Sequence, residues 1–207
     1  MIFFDEKNLS PVRKRTLKRL TRSALKLYQE QHFPSPGEIT RDAGYARVTL
    51  KSYFSTYDEF IEYVVKGLID LTDKPEMGSN AEDNIEKLFC WGFHRLGSHE
   101  AIMRDAVRIA QQRWQENIAG KNNDTDSPLL RKAHRRIALA EALSPVADRL
   151  PDAALQNLLM LMSVLCSTET MTVLKDSFML SNEEISALAS WGARLMLRQA
   201  LAEAAAT

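Results

Sequence analysis

Apolar positions recur at helical spacing along almost the whole chain, and no segment shows the strict alternation of a strand. Leu17, Leu20, Ala24 and Leu27 share one face of a first predicted helix, which runs from about Pro11 to Glu30. Basic side chains fall mainly on its other faces. The pattern therefore predicts an all-α fold.

A capped second helix and a tight turn follow the first helix. Ser35 can cap a helix that has Pro36 at its first position, and Glu38 completes the capping box. Gly44 can end this helix in a left-handed conformation, and a third helix is predicted from about Arg47 to Phe54. This succession is the plan of a helix-turn-helix, whose later helix enters the major groove of DNA.

The rest of the chain continues as amphipathic helices separated by polar breaks. Thr56 and Glu59 form a second capping box before a helix that runs to about Leu71, and the polar stretch 73–80 is the predicted domain boundary. Further helices are predicted over about 82–96, 99–118, from Ser127–Pro128 with a kink or restart at Pro145, 152–175, and 183–202 behind a Ser181–Glu184 capping box. We expect a helix-turn-helix domain over 1–55, a connecting helix over 56–72 and a helical body over 73–207.

Two features of the last helices favour a homodimer. The run from Leu158 to Cys166 is apolar on nearly every side, so its helix must be covered on more than one face. Small residues in the final helix would let another helix approach closely. Both suit a helix pair that meets its own copy across a two-fold axis, and an intrachain core is the alternative. The candidate interface residues are Leu158, Met162, Leu165, Ile185, Leu188, Ala189, Gly192 and Met196.

Charge is distributed unevenly, although the chain has 27 basic and 27 acidic residues. Between Ser10 and Tyr53, ten basic residues outnumber three acidic ones, so this window carries +7 and the remainder −7. A basic head suggests an anionic partner, and a solvated helix face is the alternative. The candidate DNA-binding residues at and near the third helix are Ser35, Tyr45, Arg47, Val48, Thr49, Lys51, Ser52 and Tyr53.

Other classes of protein find little support in the composition. The two cysteines suit a reducing compartment, and no apolar run reaches the roughly 20 residues of a membrane span. The start MIFFDEKN carries acidic residues where a signal peptide needs a basic start. We therefore expect a cytoplasmic protein without membrane contact. The four histidines show no metal-site spacing, and no phosphate loop or nucleophile motif is present. No enzyme activity, cofactor or metal is expected, and a helical enzyme is the weaker alternative.

Residues 15–65 resemble the DNA-binding head of the TetR/AcrR family of bacterial repressors. The resemblance is carried by EITRDAGYARVTLKSYFSTYDEF, residues 38–60, and the segment SFMLSNEEISALASWGARLML resembles the final helix of that family. It implies a homodimeric repressor that binds a palindromic operator and is released by a small-molecule or protein effector. The pocket candidates on the two helices after the boundary are Trp91, His94, Met103, Arg108, Gln111 and Trp114, of which the aromatic residues and Met103 could instead be core.

Four positions depart from the family pattern. Ala46 stands where a capping Ser is usual, Lys51 where a phosphate-binding Tyr is common, Tyr57 where a Lys is usual, and His32 where a Gly ends the first helix. Lys51 can still act as a point charge on phosphate. The alternative function is therefore a TetR-like ligand- or protein-binding module in which sequence-specific DNA binding is weak or lost.

Overall fold

The computed structural model describes residues 9–30, 33–69, 71, 73–120 and 130–206, and within them it contains helices and no strand. The helices are α1 (Pro11–Gln29), α2 (Pro36–Asp42), α3 (Val48–Lys51), α4 (Tyr57–Leu68), α5 (Ala81–Ser98), α6 (Glu100–Ile118), α7 (Leu130–Leu143), a short 3₁₀ helix (Ser144–Arg149), α8 (Asp152–Leu165), α9 (Thr168–Phe178) and α10 (Asn182–Ala205). The predicted all-α fold is confirmed. The N-terminal MIFFDEKN, His32 and the helix start at Ser127–Pro128 lie outside the described residues.

Side-chain caps begin the helices where the sequence predicts them. The Ser35 hydroxyl accepts from the Glu38 amide at 3.3 Å, and the Ser35 amide donates to the Glu38 carboxylate at 2.8 Å. The equivalent pair at the start of α10, Ser181 and Glu184, has distances of 3.2 and 2.7 Å. These reciprocal bonds satisfy amides that the first turn of a helix leaves without a backbone partner. The predicted capping boxes are confirmed at both helices.

Helices α1 to α4 and α6 form one compact unit. The apolar face of α6, which includes Ile102 and Ile109, is buried, and the helix packs against α4 and α1. An ion pair between Arg113 and Glu62 joins α6 to α4. This unit therefore includes α6, which buries its apolar face with the N-terminal helices.

Helices α5 and α7 to α10, with the 3₁₀ helix, form the second compact unit. Its core contains the fully buried side chains of Phe89, Leu139 and Met162. Asn84 is also buried, and its amide group donates to the Ala142 carbonyl at 3.2 Å, so that this polar side chain does not lose its hydrogen bonds on folding. The unit supplies its own core from the C-terminal half of the chain together with α5.

The predicted helix over 152–175 is wrong, because the structure divides it into α8 and α9. A new helix begins at Ser167, whose hydroxyl accepts from the Thr170 amide at 3.0 Å. The two helices are bent by 49°. No single described helix has both the length and the apolarity for a membrane span, and α8 with α9 meets those criteria only as this bent pair. The structure also ends α4 at Leu68, short of the predicted Leu71.

Met179 ends α9 in the left-handed conformation, with φ of 59°, and its side chain is 85% exposed. A residue with a Cβ costs about 1 kcal/mol there, whereas glycine adopts the same backbone freely. We expect Met179→Gly to raise the free energy of unfolding by up to about 1 kcal/mol in urea titrations. Phe178→Gly, one residue earlier and inside the helix, is the control and should lower it by about the same amount. A lower stability of Met179→Gly would contradict a strained cap.

Candidate nucleic-acid interface

A tight turn joins α2 to α3. Gly44 has φ of 76°, and the Tyr45 amide donates to the Thr40 carbonyl at 2.7 Å, while the Gly44 amide donates to the Arg41 carbonyl at 3.1 Å. These two bonds form a Schellman motif, which needs a left-handed residue at the position of Gly44. The predicted glycine cap is confirmed, and it sets the direction in which α3 leaves α2.

Helix α3 turns one side to the core and the other to solvent. Leu50 and Phe54 are buried, whereas Val48 is 69% exposed. Of the predicted DNA-binding residues, Arg47, Lys51 and Ser52 are exposed, while the remaining candidates in the segment, Tyr45, Thr49 and Tyr53, are half-buried. Ser35 is exposed at the start of α2, where its hydroxyl serves as the cap. The segment 45–53 therefore brings seven of the eight candidates to one short stretch of surface.

The start of α1 holds the end of α3 in place. The Arg13 guanidinium donates to the Ser52 carbonyl at 2.6 Å and lies 4.7 Å from the centre of the Tyr53 ring. The Tyr53 hydroxyl donates to the Arg13 carbonyl at 3.1 Å. This role of Arg13 is not visible in the sequence, because Arg13 and Ser52 are 39 positions apart. Arg13 and Tyr53 position α3, and the hydroxyl proton of Tyr53 is already used within the chain.

A basic surface on α1 lies next to the start of α3. Interactions with Thr16, and then with Arg19 and Arg15, lower the pKa of Tyr45, which stands just before α3. These α1 side chains therefore lie beside Tyr45 and the start of α3, the helix that is predicted to contact DNA bases. The exposed basic residues of α1 are Arg13, Lys14, Arg15, Lys18, Arg19, Arg22 and Lys26.

Lys26 forms an ion pair across to α2. Its ammonium lies 2.6 Å from the Asp42 carboxylate. The hydrogen bond from Lys26, with a further one from Ser23, lowers the pKa of Asp42. Exposed pairs of this kind contribute little to stability. The pair links α1 to α2.

Two departures from the family pattern have structural consequences. Helix α3 is only four residues long, and its N-cap residue, Arg47, makes no side-chain cap hydrogen bond. The cap that the usual Ser of the family would provide at the position of Ala46 is therefore not supplied by Arg47. Tyr57 lies inside the first unit, where its hydroxyl donates to the Pro34 carbonyl at 2.5 Å and lies 3.4 Å from the Tyr28 hydroxyl. Burial is the main cause that raises the pKa of Tyr57 to about 12.

The predicted effector residues are divided between the two units. Trp91 packs against the core of the second unit under the Arg95 guanidinium, and Met103 is buried in the first unit. The exposed candidates are His94, Arg108, Gln111 and Trp114. Arg108 alone among the six lines an open cavity of about 510 Å³ within the first unit. The other lining residues were missed because they are far apart in sequence.

Half of the predicted interface residues belong to the core of the protomer instead. Leu158, Met162, Ile185 and Ala189 are all buried within the second unit. Gly192 allows a close approach inside the chain, because a Cβ there would lie 3.7 Å from the Leu165 side chain. Among the other candidates, Leu188 is 43% exposed and Met196 is half-buried. The exposed apolar face on α8 and α10 consists of Met160, Leu161, Val164, Leu188, Trp191 and Leu195.

No protein-family model matches the sequence, and no curated protein is significantly similar to it. Among solved structures, the chain is similar to the crystal structure of a TetR transcriptional regulator from Rhodococcus sp. RHA1. The TM-score is 0.55 at 17% sequence identity, and the match covers 89% of this chain and 97% of that chain. The chain has a TetR-like fold. At this low identity the similarity establishes the fold alone, so function must be argued from the residues.

The exposed side chains of α1 and α3 on this TetR-like fold are chemically suited to a polyanionic partner. Guanidinium and ammonium groups line α1, and α3 offers Arg47 and Lys51 next to them. Such groups neutralise phosphates, and a short exposed helix can enter a major groove. Among the described residues, no group of His, Cys, Asp and Glu side chains could hold a metal ion.

Proposed function

We propose that the protein is a transcription regulator that binds a palindromic operator as a homodimer and represses it until an effector releases it. The observation that carries the proposal is the basic surface of α1 beside the exposed face of α3, on a TetR-like fold. The protein is expected to act in the cytoplasm.

The two helices would have different tasks on DNA. Arg47, Val48 and Thr49 stand at the start of α3, where side chains reach base edges in the major groove. Arg15, Lys18 and Arg19 on α1 would contact phosphates, which fix position but carry no sequence information directly. Specificity would therefore depend on a few residues of α3, and most of the affinity on α1.

The exposed apolar face on α8 and α10 supports self-association. Its residues recur at helical spacing, as Leu161 and Val164 do on α8 and Leu188, Trp191 and Leu195 do on α10. Exposed apolar side chains on two helices that pack against each other are a candidate protein interface, and two-fold pairing would cover them with the same residues of a second copy. The dimer would present two α3 helices about 34 Å apart, one turn of DNA.

Selection of bound fragments from the source genome tests the proposal. If the protein is an operator-binding repressor, we expect one palindrome to be enriched. The affinity of the protein for this palindrome should fall steeply as the salt concentration rises. Steep salt dependence without enrichment would favour the alternative, a TetR-like module that no longer reads sequence. The short, uncapped α3 is the observation that favours this alternative.

We expect Arg47→Ala to reduce discrimination at one operator position by about 1–3 kcal/mol, because a bidentate guanidinium contact to guanine is worth that much. The measurement is a set of binding titrations with duplexes that carry each base at each position. Lys87→Ala, at an exposed site on α5, is the control and should leave the profile unchanged. Equal weakening on every duplex would show that Arg47 contacts phosphate only.

A further inference from the structure

The open cavity of the first unit has the size of a small-molecule site. Its volume of about 510 Å³ falls within the ~300–1,000 Å³ that such sites occupy. One part of its wall consists of Tyr28, Phe33, Pro34 and Tyr57. Helix α6 supplies the polar part with Arg104, Asp105 and Arg108. Mostly apolar walls with a few convergent polar groups are typical of ligand pockets.

The aromatic part of the wall suits a flat ring. Phe33 is 63% exposed, and its ring meets the Tyr28 ring edge-on, with centroids 6.1 Å apart and an angle of 84°. Aromatic rings pack favourably in edge-to-face and offset arrangements. A planar ligand would cover the exposed face of Phe33 and remove its apolar surface from water.

The two tyrosine hydroxyls offer acceptors to a ligand. The Tyr28 hydroxyl donates to Asp105 Oδ2 at 2.5 Å, and the Tyr57 hydroxyl donates to the Pro34 carbonyl at 2.5 Å. Each hydroxyl has a single proton, which these two bonds already use. The two hydroxyl oxygens lie 3.4 Å apart, and each keeps lone pairs that can accept a hydrogen bond. Burial is the main cause that raises the pKa of each tyrosine, so both protons stay in place near neutral pH.

The charges around the cavity are already balanced. The Arg108 guanidinium donates to Asp105 Oδ1 at 2.7 Å, and Arg104 pairs with Glu100 at 2.9 Å. Asp105 is 5% exposed and takes bonds on both oxygens, from Arg108 and Tyr28. A charged ligand would have to compete with these pairs, whereas a neutral one would not.

We propose that this cavity binds a small, uncharged aromatic molecule that carries one hydroxyl or amine donor. The ring lies against Phe33 and Tyr28, and the donor bonds to the hydroxyl oxygen of Tyr57, the more exposed of the two tyrosines. Tyr28 is part of α1, which also carries the basic surface, so occupancy acts directly on the DNA-binding helices. This second step, in which the ligand is the effector, rests on the proposed function.

Calorimetric titration of the full chain with three probes, without DNA, tests the site. Naphthol carries the ring and the donor, methoxynaphthalene lacks the donor, and naphthoate carries a negative charge. We expect naphthol to bind about three- to tenfold more tightly than either, which is the range for one hydrogen bond. Tyr57→Phe should remove this preference, because its acceptor is lost. Tyr63→Phe makes the same change on α4 outside the cavity lining and should keep the preference.

Two results would overturn the site: no heat with naphthol at its solubility limit, or a preference that persists in Tyr57→Phe. Tighter binding of naphthoate would overturn the assignment of an uncharged ligand. Saturating naphthol should also weaken operator binding, and this loss should be absent in Tyr57→Phe. An unchanged operator affinity with bound naphthol would refute the effector role alone. A protein that binds no operator would refute the proposed function, and the calorimetric result would still decide the site.

Discussion

Replacing Arg15 and Arg19 together by Gln should weaken operator binding about a thousandfold at ~0.1 M salt. Both guanidinium groups are exposed on α1 and lie beside Tyr45, which stands just before α3, the helix that is predicted to contact DNA bases. A dimer would lose four phosphate contacts, and each contributes about 0.9 to the slope of log affinity against log salt. The slope should therefore fall by about 3 to 4, as measured by fluorescence anisotropy at several salt concentrations.

The matched control replaces two exposed basic residues of the second unit, as Lys87→Gln together with Arg149→Gln. It removes the same charge from the chain and should bind the operator within about twofold of the parent, since steering by net charge is a smaller effect than direct contact. Circular dichroism of both double variants checks folding. Similar losses in the two variants would mean that net charge matters and that the α1 surface does not contact DNA.

Trp191→Glu should convert the dimer into a monomer. Trp191 is 55% exposed on the apolar face of α8 and α10, so the substitution leaves the core of the protomer intact. A central Trp is the kind of residue that dominates interface energies, and a two-fold interface would contain the change twice. We expect the dimer dissociation constant to rise by at least ~10³, about 4 kcal/mol. Sedimentation equilibrium measures this directly.

Trp114→Glu is the control for the interface variant. Trp114 lies on α6 in the first unit and is 64% exposed, so it undergoes the same change at a similar exposure. This variant should sediment as the parent does. A dimer that survives Trp191→Glu would place self-association elsewhere, and a monomeric parent would refute the proposed assembly.

Local sequence signals were sufficient to predict the start of α2 and the turn between α2 and α3. The Ser35–Glu38 box, Pro36 and the left-handed Gly44 depend on residues within a few positions of one another, and the structure has all three. The break between α8 and α9 was missed, because Ser167 sits in a run whose apolar pattern continues across it. The apolar residues before and after Ser167 fit one continuous helix as well as two helices, so only the Ser167 cap indicates the break.

The candidate sites were harder to predict, since they depend on contacts between distant residues. Tyr28 and Asp105 are 77 positions apart, yet their side chains share a hydrogen bond in the cavity wall. Apolar residues occur on two faces of α10, and the sequence alone did not tell which face turns inward. The structure buries the face of Ile185 and Ala189 and exposes that of Leu188 and Trp191.

In the proposed dimer, the basic α1 surface and the α3 helix of both protomers bind one palindrome at the same time. The most direct measurement titrates the selected palindromic duplex and a scrambled duplex of equal composition across a range of salt, with the mass of the complex determined by sedimentation. We expect two chains on each palindrome, a steep salt slope, and affinity at least ~10³-fold above that for the scrambled duplex. Equal affinity for both duplexes at every salt concentration, or one chain per duplex, would contradict the proposal.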